Sequence, residues 1–330
     1  MKQIGIIGAG QLGSRHLQGV LKSSLEFEVN VVDPNKSSLE VAESRAKEIE
    51  HTHKVNFEDN IKELPKELDL VIIATNSDVR LRVLKELLNH SSVDSLVLEK
   101  VLFQSLSEYQ EAYKVITSSG AKTYVNHARR MQALYHGLRN IIGEFAHEVF
   151  DVDYYGANWG LGCNGLHLSD AISFILNDSI TSYENKELDP EVIDSKRKGF
   201  IEFTGTLSGK TKRGNHFRIT SRRTEDGAPT GISLTINSPS VHISVMEGEA
   251  NSIVRVTRIN QGLETEMHKF PAMMFQSDLS KIIVEETFNG LTPQLTTYKD
   301  AIENHRLFIA SILNHLNQMN NETYDKCPIT

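Results

Sequence analysis

The sequence predicts an α/β chain in two parts: a parallel, doubly wound sheet wrapped by helices, then an α+β domain built on a large open antiparallel sheet. Three observations predict it. Up to about residue 127 short aliphatic runs alternate with charge-rich stretches of helical spacing, the pattern of strands crossing over through helices. Beyond Phe150 several segments alternate apolar and polar residues with period two, as half-buried strands do. A glycine cluster, Gly8-Ala9-Gly10-Gln11-Leu12-Gly13, follows the first aliphatic run. A chain of 330 residues exceeds one ordinary core, and the change of texture divides it into residues 1–127 and 128–330, with the C-terminal helix expected to pack back on the first domain.

The strands expected in the first part are Ile4–Ile7, Phe27–Val32, Leu70–Ala74, Leu96–Leu98 and Thr123–Val125, each rich in β-branched or aliphatic residues. Helices are expected over Ser14–Ser23 and over Ser77–Asn89, where Val79, Val83, Leu84, Leu87 and Leu88 recur at helical spacing. In the second part Phe200–Thr204, Ile232–Ile236, Val241–Val245, Asn251–Ile259 and Leu263–Lys269 read as strands, giving a sheet of five or six, with turns such as Gly214-Asn215 and Asp226-Gly227. Tyr298–Leu316 restores helical spacing through Ile302, Ile309, Ile312, Leu313 and Leu316.

Charge and composition exclude several classes of function. Lys plus Arg number 35 against 43 Asp plus Glu, and with no dense basic stripe the chain is not expected to bind nucleic acid. Two cysteines, Cys163 and Cys327, make no disulfide framework, which predicts a reducing, cytoplasmic setting. No apolar run reaches membrane-spanning length, and the strand beginning at Ile4 leaves no room for a signal peptide. The sequons at Asn177 and Asn321 then carry no meaning, since the pattern matters in a secreted chain.

The glycine cluster fits G-x-G-x-x-G in its proper setting: it follows a strand, opens a helix, and precedes a second strand ending in Asp33. This is the fingerprint of a dinucleotide-binding Rossmann domain. Gly8 permits the tight turn, Gly10 lets the backbone approach a pyrophosphate, and Gly13 allows close helix packing, while Gln11 and Leu12 open the helix whose N–H groups face the anion. Asp33 accepts hydrogen bonds from the adenosine ribose and repels a 2′-phosphate, which favours NAD over NADP. Lys36, three residues on, is the group that can offset this by neutralising the phosphate.

Ionisable groups that can reach such a ligand fall in three places. Glu99-Lys100 ends a strand, where a lysine can polarise a reacting oxygen. In Cys163-Asn164-Gly165-Leu166-His167-Leu168-Ser169-Asp170 a helix sets Cys163, His167 and Asp170 on one face, so that His167 can exchange a substrate proton and Asp170 can orient its ring. The bland alternative for this pair is a core histidine with an aspartate partner. Arg130 can hold a substrate carboxylate or phosphate; Tyr155 and Trp159, with Tyr154, can stack on a sugar ring, and Asn164 is a further substrate contact. Too few ligands gather for zinc, and no metal is expected.

With these motifs in order, the whole chain resembles the Gfo/Idh/MocA oxidoreductases, the family of glucose-fructose oxidoreductase and inositol dehydrogenase. The resemblance rests on the glycine motif, Ala74-Thr75-Asn76, Glu99-Lys100-Val101 in place of Glu-Lys-Pro, and His167-Leu168-Ser169-Asp170 matching His-x-x-Asp. It implies that Thr75, Asn76 and Glu99 line the cofactor site, that Lys100 and His167 are catalytic with Asp170 beside them, and that the antiparallel sheet serves a homodimer or homotetramer. The departures are Val101 for proline, Cys163 for an aspartate four residues before the histidine, and Arg80 for the histidine after the Thr-Pro turn. The closing Cys327-Pro328-Ile329-Thr330 is similar to members acting in bacterial surface-sugar biosynthesis. The expectation is an NAD-dependent sugar oxidoreductase acting on a carbinol carbon, the alternative being a dinucleotide-binding sensor or assembly protein without turnover.

Overall fold

A computed structural model describes every residue except Asp226, Gln261, Asn321, Glu322 and the side chain of Asn320. Part of the expected Asp226-Gly227 turn and of the second sequon therefore lies outside the described residues. The chain forms two compact units, Met1–Ala128 with Met274–Ala301, and Arg129–Met273 with Ile302–Thr330.

The first unit begins β1 (Lys2–Ile7), α1 (Gln11–Leu21), β2 (Phe27–Val32), α2 (Lys36–Ala46), β3 (Lys54–Glu58), β4 (Glu67–Ile73), α3 (Ser77–His90), β5 (Ser92–Leu98), α4 (Leu106–Ser119) and β6 (Lys122–Val125). Strands β1 to β6 run parallel in the order β6-β5-β4-β1-β2-β3. The centre of the sheet is apolar on both faces: Ile4, Ile6, Val29, Leu70, Val71, Ile72, Leu96 and Val97 are fully buried, as a sheet covered by helices on both sides requires. Helix starts are set locally. The Asn35 side chain accepts from Ser37 N at 3.0 Å to cap α2, and Ser105 and Glu108 form a reciprocal capping box on α4. Strand β3, which aliphatic content did not suggest, is a sheet edge where Val55 and Phe57 are only half-buried among Lys54, Asn56 and Glu58.

The second unit contributes α5 (Ala133–Gly143), β7 (Asp151–Ala157), α6 (Leu161–Leu176), β8 (Ile180–Leu188), the two-residue pair β9 (Ile193–Asp194) and β10 (Ile201–Glu202), β11 (Gly205–Thr211), β12 (His216–Arg222), β13 (Ser233–Asn237), β14 (Val241–Met246), β15 (Asn251–Arg258) and β16 (Glu264–Pro271). Eight strands join in the order β16-β15-β14-β13-β7-β12-β11-β8, antiparallel throughout except that β7 and β12 pair in parallel. The sheet is thus larger than the five or six strands expected. Strands β8, β11 and β12 escaped notice because Ser, Thr, Lys, Glu and Arg fill their outward positions and glycine some inward ones. Of the expected strand at Phe200–Thr204 only Ile201 and Glu202 are extended and paired, as β10.

The chain then returns to the first unit through α7 (Gln276–Phe288), which packs on α1, and β17 (Thr296–Thr297), which pairs antiparallel with β6. A single cut at residue 127 leaves this return out. Gly19 of α1 marks the contact, since a Cβ there would stand 2.6 Å from Ser280 Cβ and 2.7 Å from Ser277 O. Helix α8 (Tyr298–Asn320) closes the fold, and its residues from Ile302 on belong to the second unit. Among the described residues no helix is long and apolar enough to cross a membrane.

Candidate functional site

In the first unit a cleft of about 480 Å³ opens at the carboxyl ends of β1, β2 and β4, lined among others by Gly8, Gly10, Asp33, Ser38, Thr75 and Asn76. The three motif glycines do different work there. Gly8 has φ +96°, and a Cβ on it would stand 2.9 Å from the Ala74 carbonyl carbon and Thr75 N. A Cβ on Gly13 would meet Gly8 O at 1.7 Å, so this glycine lets α1 lie against the turn. At Gly10 nothing stands within 4 Å of the Cβ position. That open space, at the N-cap of a helix with no side-chain cap among the described residues, is where a phosphate can approach free N–H groups. Gln11 is exposed and its Oε1 receives Arg45 Nη2 at 2.6 Å, while Leu12 is half-buried.

Asp33 is held as the cleft's fixed anion: Oδ2 accepts from Ala9 N at 2.7 Å and Oδ1 from Asn35 N at 2.8 Å. The carboxylate thus joins the glycine turn to the start of α2, with lone pairs left for a ribose. Lys36 is exposed at the first position of α2. Two neighbours went unnoticed in the sequence, Ser38 in the cleft wall and Arg45, whose Nη1 donates to Gln11 O at 3.1 Å.

Glu99 lies inside the unit, 2% exposed, rather than in the wall of that cleft. His16 Nε2 stands 2.9 Å from its Oε1, and Asn126 Nδ2 donates to the same oxygen. Burial pushes the carboxyl upward, but His16, Asn126 and Lys100 outweigh it and hold it below its ordinary value. The network continues into the returning helix, His16 Nδ1 lying 2.8 Å from Ser280 Oγ and Asn126 Nδ2 donating to Gln276 Oε1 at 2.9 Å. Lys100 is buried, the Lys100–Val101 peptide is cis, and Val101, Leu102 and Phe103 behind it are fully enclosed.

In the second unit Cys163, His167 and Asp170 stand on α6 at the helical spacing expected, Cys163 and His167 half-buried and Asp170 buried. Glu202 organises the start of this helix: its Oε1 accepts from Cys163 N at 3.0 Å, and a Cβ on Gly160 or Gly162 would collide with its carboxylate. Arg130 grips Asp170 with two parallel bonds, Nε to Oδ2 at 2.7 Å and Nη2 to Oδ1 at 2.8 Å, and lies over the Phe174 ring. Spacing offers Asp170 to orient His167 and Arg130 to hold a substrate anion; Arg130 and Asp170 are joined to each other.

The remaining expected contacts divide. Asn164 Nδ2 donates to the carbonyls of Trp159 and Gly160, tying the loop before α6. Trp159 lies against Gly156, where a Cβ would stand 2.7 Å from the indole nitrogen. Tyr155 is 50% exposed on the sheet face that bears Asp153, whereas Tyr154 is buried on the other face with its hydroxyl 3.4 Å from that of Tyr135, because side chains alternate along a strand. A buried cluster beside them escaped sequence reasoning: Arg129 Nη1 reaches Glu247 Oε1 at 2.6 Å and the Tyr135 hydroxyl donates to the same oxygen at 2.9 Å. Burial pushes the Tyr154 hydroxyl up to about 12, against the opposing pull of Arg129.

Residues 2–127 match the GFO_IDH_MocA model, an oxidoreductase family with an NAD-binding Rossmann fold. No curated protein matches the chain in sequence at a significant level. Solved structures share the fold over nearly the whole length at low identity. An Agrobacterium radiobacter oxidoreductase in complex with NAD+, L-tartaric acid and magnesium is 15% identical, with 98% of each chain covered and a TM-score of 0.74. The scyllo-inositol dehydrogenase of Lactobacillus casei, with bound NAD(H) and scyllo-inositol, is 13% identical over 94% of this chain and 95% of that one, TM-score 0.65. The transcriptional regulator Gal80p of Kluyveromyces lactis is 15% identical over 96% and 92%, TM-score 0.72.

Proposed function

We propose that this chain, whose residues 2–127 match the Gfo/Idh/MocA oxidoreductase family, is an NAD-dependent dehydrogenase or reductase acting on a carbinol carbon of a sugar or sugar derivative. The observation that carries the reading is Asp33, fixed by Ala9 N and Asn35 N at the mouth of a cleft whose floor is the open position at Gly10. A nicotinamide dinucleotide bound there supplies the hydride donor or acceptor. Asp33 takes the ribose hydroxyls and disfavours a 2′-phosphate, the α1 N–H groups take the pyrophosphate, and Thr75 and Asn76 line the approach.

In this reading the Lys100 ammonium polarises the reacting oxygen, and His167 exchanges its proton. For oxidation the balance is simple: as hydride leaves the carbinol carbon, the hydroxyl proton passes to His167 and the C–O bond becomes a carbonyl. Glu99, anchored by His16 and Asn126, fixes the backbone from which Lys100 projects. Arg130 and Asp170 fix the buried side of α6 from which His167 projects. The polyol named with the Lactobacillus casei structure supports a polyhydroxylated substrate. The open face of the eight-stranded sheet is assigned to a second copy of the chain, and light scattering that finds only a monomer contradicts that assignment.

The test is enzyme-dependent absorbance change at the nicotinamide band across free and nucleotide-linked sugars and polyols. Lys100→Ala is expected to lose activity by at least about a hundredfold, with NADH affinity kept within about threefold. A fully active variant overturns the role of Lys100. A second reading, a dinucleotide sensor without turnover, draws support from the likeness to Gal80p and from Val101 and Cys163 at motif positions. Tight binding with no turnover on any substrate of the panel selects it.

A further inference from the structure

The cleft of the first unit extends past the glycine turn and Asp33 to the end of β3. Strand β3 pairs with β2, and Asp33 N donates to Glu58 O at 3.1 Å, so the residue assigned to the ribose is tied to the last residue of β3. Asp59 and Asn60 follow directly, both exposed and both in the cleft wall. Ile61, Val79 and Val83 give the same wall its apolar surface, Ile61 from the short 3-10 helix Ile61–Glu63 that packs beside α3. A flat base takes apolar surface against its faces and polar groups at its edge. The Asn60 amide is oriented by its own turn: Oδ1 accepts from Lys62 N at 3.0 Å, which leaves Nδ2 as an unused donor. Among the described residues the Asp59 carboxylate makes neither a hydrogen bond nor an ion pair. Glu86, a further carboxylate of this wall, has Arg82 4.0 Å away on the same helix.

We propose that Asp59 and Asn60 read the base of the dinucleotide and select adenine: the carboxylate accepts from the exocyclic amine, and the Asn60 amide donates to the ring nitrogen beside it. The inference rests on the nucleotide-binding reading above, with the ribose at Asp33. Adenine presents a donor next to an acceptor, and an adjacent carboxylate and amide N–H are the complement of that pair. In hypoxanthine a carbonyl oxygen replaces the amine. Held in the same place, it sets that oxygen against the Asp59 carboxylate, two acceptors with no proton between them. A site built to hydrogen-bond a group rejects the analogue that lacks it, because its own polar groups are then left unpaired. Asp59 is exposed, so water offsets part of that loss and the discrimination is on the order of tenfold.

The test is calorimetric titration of the full chain with NADH and with its hypoxanthine analogue, which keeps the nicotinamide, both riboses and the pyrophosphate, in the wild type, D59N and D59A, with folding followed by circular dichroism. The wild type is expected to hold NADH about tenfold tighter than the analogue. In D59N the new amide can donate to the carbonyl oxygen, so the two affinities should come within about threefold of each other. In D59A NADH should weaken about tenfold while the analogue stays within about threefold of its wild-type affinity. Equal wild-type affinities, or a ratio unchanged in either variant, overturns the proposal and leaves the nucleotide site standing. Binding of neither dinucleotide by the wild type overturns the nucleotide-binding reading and the proposal with it. Should one variant not fold, the wild-type ratio and the other variant decide.

Discussion

Arg130 and Asp170 close on each other as a two-pronged ion pair, with bonds of 2.7 and 2.8 Å, the carboxylate side chain 3% exposed and the arginine 20%. The pair fixes the part of α6 that carries Cys163 and His167 at helical spacing from Asp170. Asp170→Asn leaves the Arg130 cation facing a neutral amide in a largely desolvated place. The expected cost is about 2–4 kcal/mol in urea unfolding, the range for breaking one partner of a buried pair with some relief from solvent. A cycle with Arg130→Met and the double variant isolates the coupling, and a coupling near zero would show that the pair holds nothing.

The second and third glycines of the motif predict opposite phenotypes. Gly13→Ala puts a methyl group 1.7 Å from Gly8 O and is expected to destabilise the fold by several kcal/mol, read as a lower Tm. Gly10→Ala meets nothing within 4 Å, so Tm should stay within a few degrees while NADH affinity falls at least about tenfold, because the added methyl occupies the path of the pyrophosphate. Unchanged NADH affinity in Gly10→Ala would remove Gly10 from the site.

These contrasts show what the chain disclosed of itself. Strands β1, β2, β4, β5 and β6 are legible because a sheet covered on both faces demands unbroken aliphatic runs such as Leu70–Ile73. Strand β3, half-buried at an edge, and β8, with one polar outer face, carry no such run. The motif glycines and Asp33 are legible because local backbone geometry dictates them. The pairs Arg130–Asp170 and His16–Glu99 are not, since their partners stand 40 and 83 residues apart and spacing reports only neighbours along one element. The return of α7 to the first unit is hidden for the same reason: amphipathic spacing tells which residues are buried, not against what.

Acid should destabilise the chain in two stages. Burial lowers the pKa of His315, whose ring nitrogen lies 3.1 Å from Asp189 O, below the ordinary 6.5. The unfolded chain therefore takes up a proton that the folded chain resists, and the stability contributed by neutral His315 is complete above 6.5 and lost as pH falls through the lower folded value. For Glu99, held below its ordinary 4.5 by His16 and Asn126 despite burial, the contribution is complete above 4.5 and lost on further acidification. His315→Gln, which keeps a donor for Asp189 O, should flatten Tm against pH as pH falls below 6.5 and leave the loss below 4.5 in place. A profile identical to the wild type in the upper window would contradict the role of His315.

The central claim, a nicotinamide dinucleotide held with its ribose at Asp33, is tested most directly by calorimetric titration of the wild-type chain with NADH and NADPH under one condition. Saturable one-site NADH binding is expected, at least about tenfold tighter than NADPH because the Asp33 carboxylate repels a 2′-phosphate. Tighter NADPH binding would contradict the assignment of Asp33, and binding of neither would contradict the site.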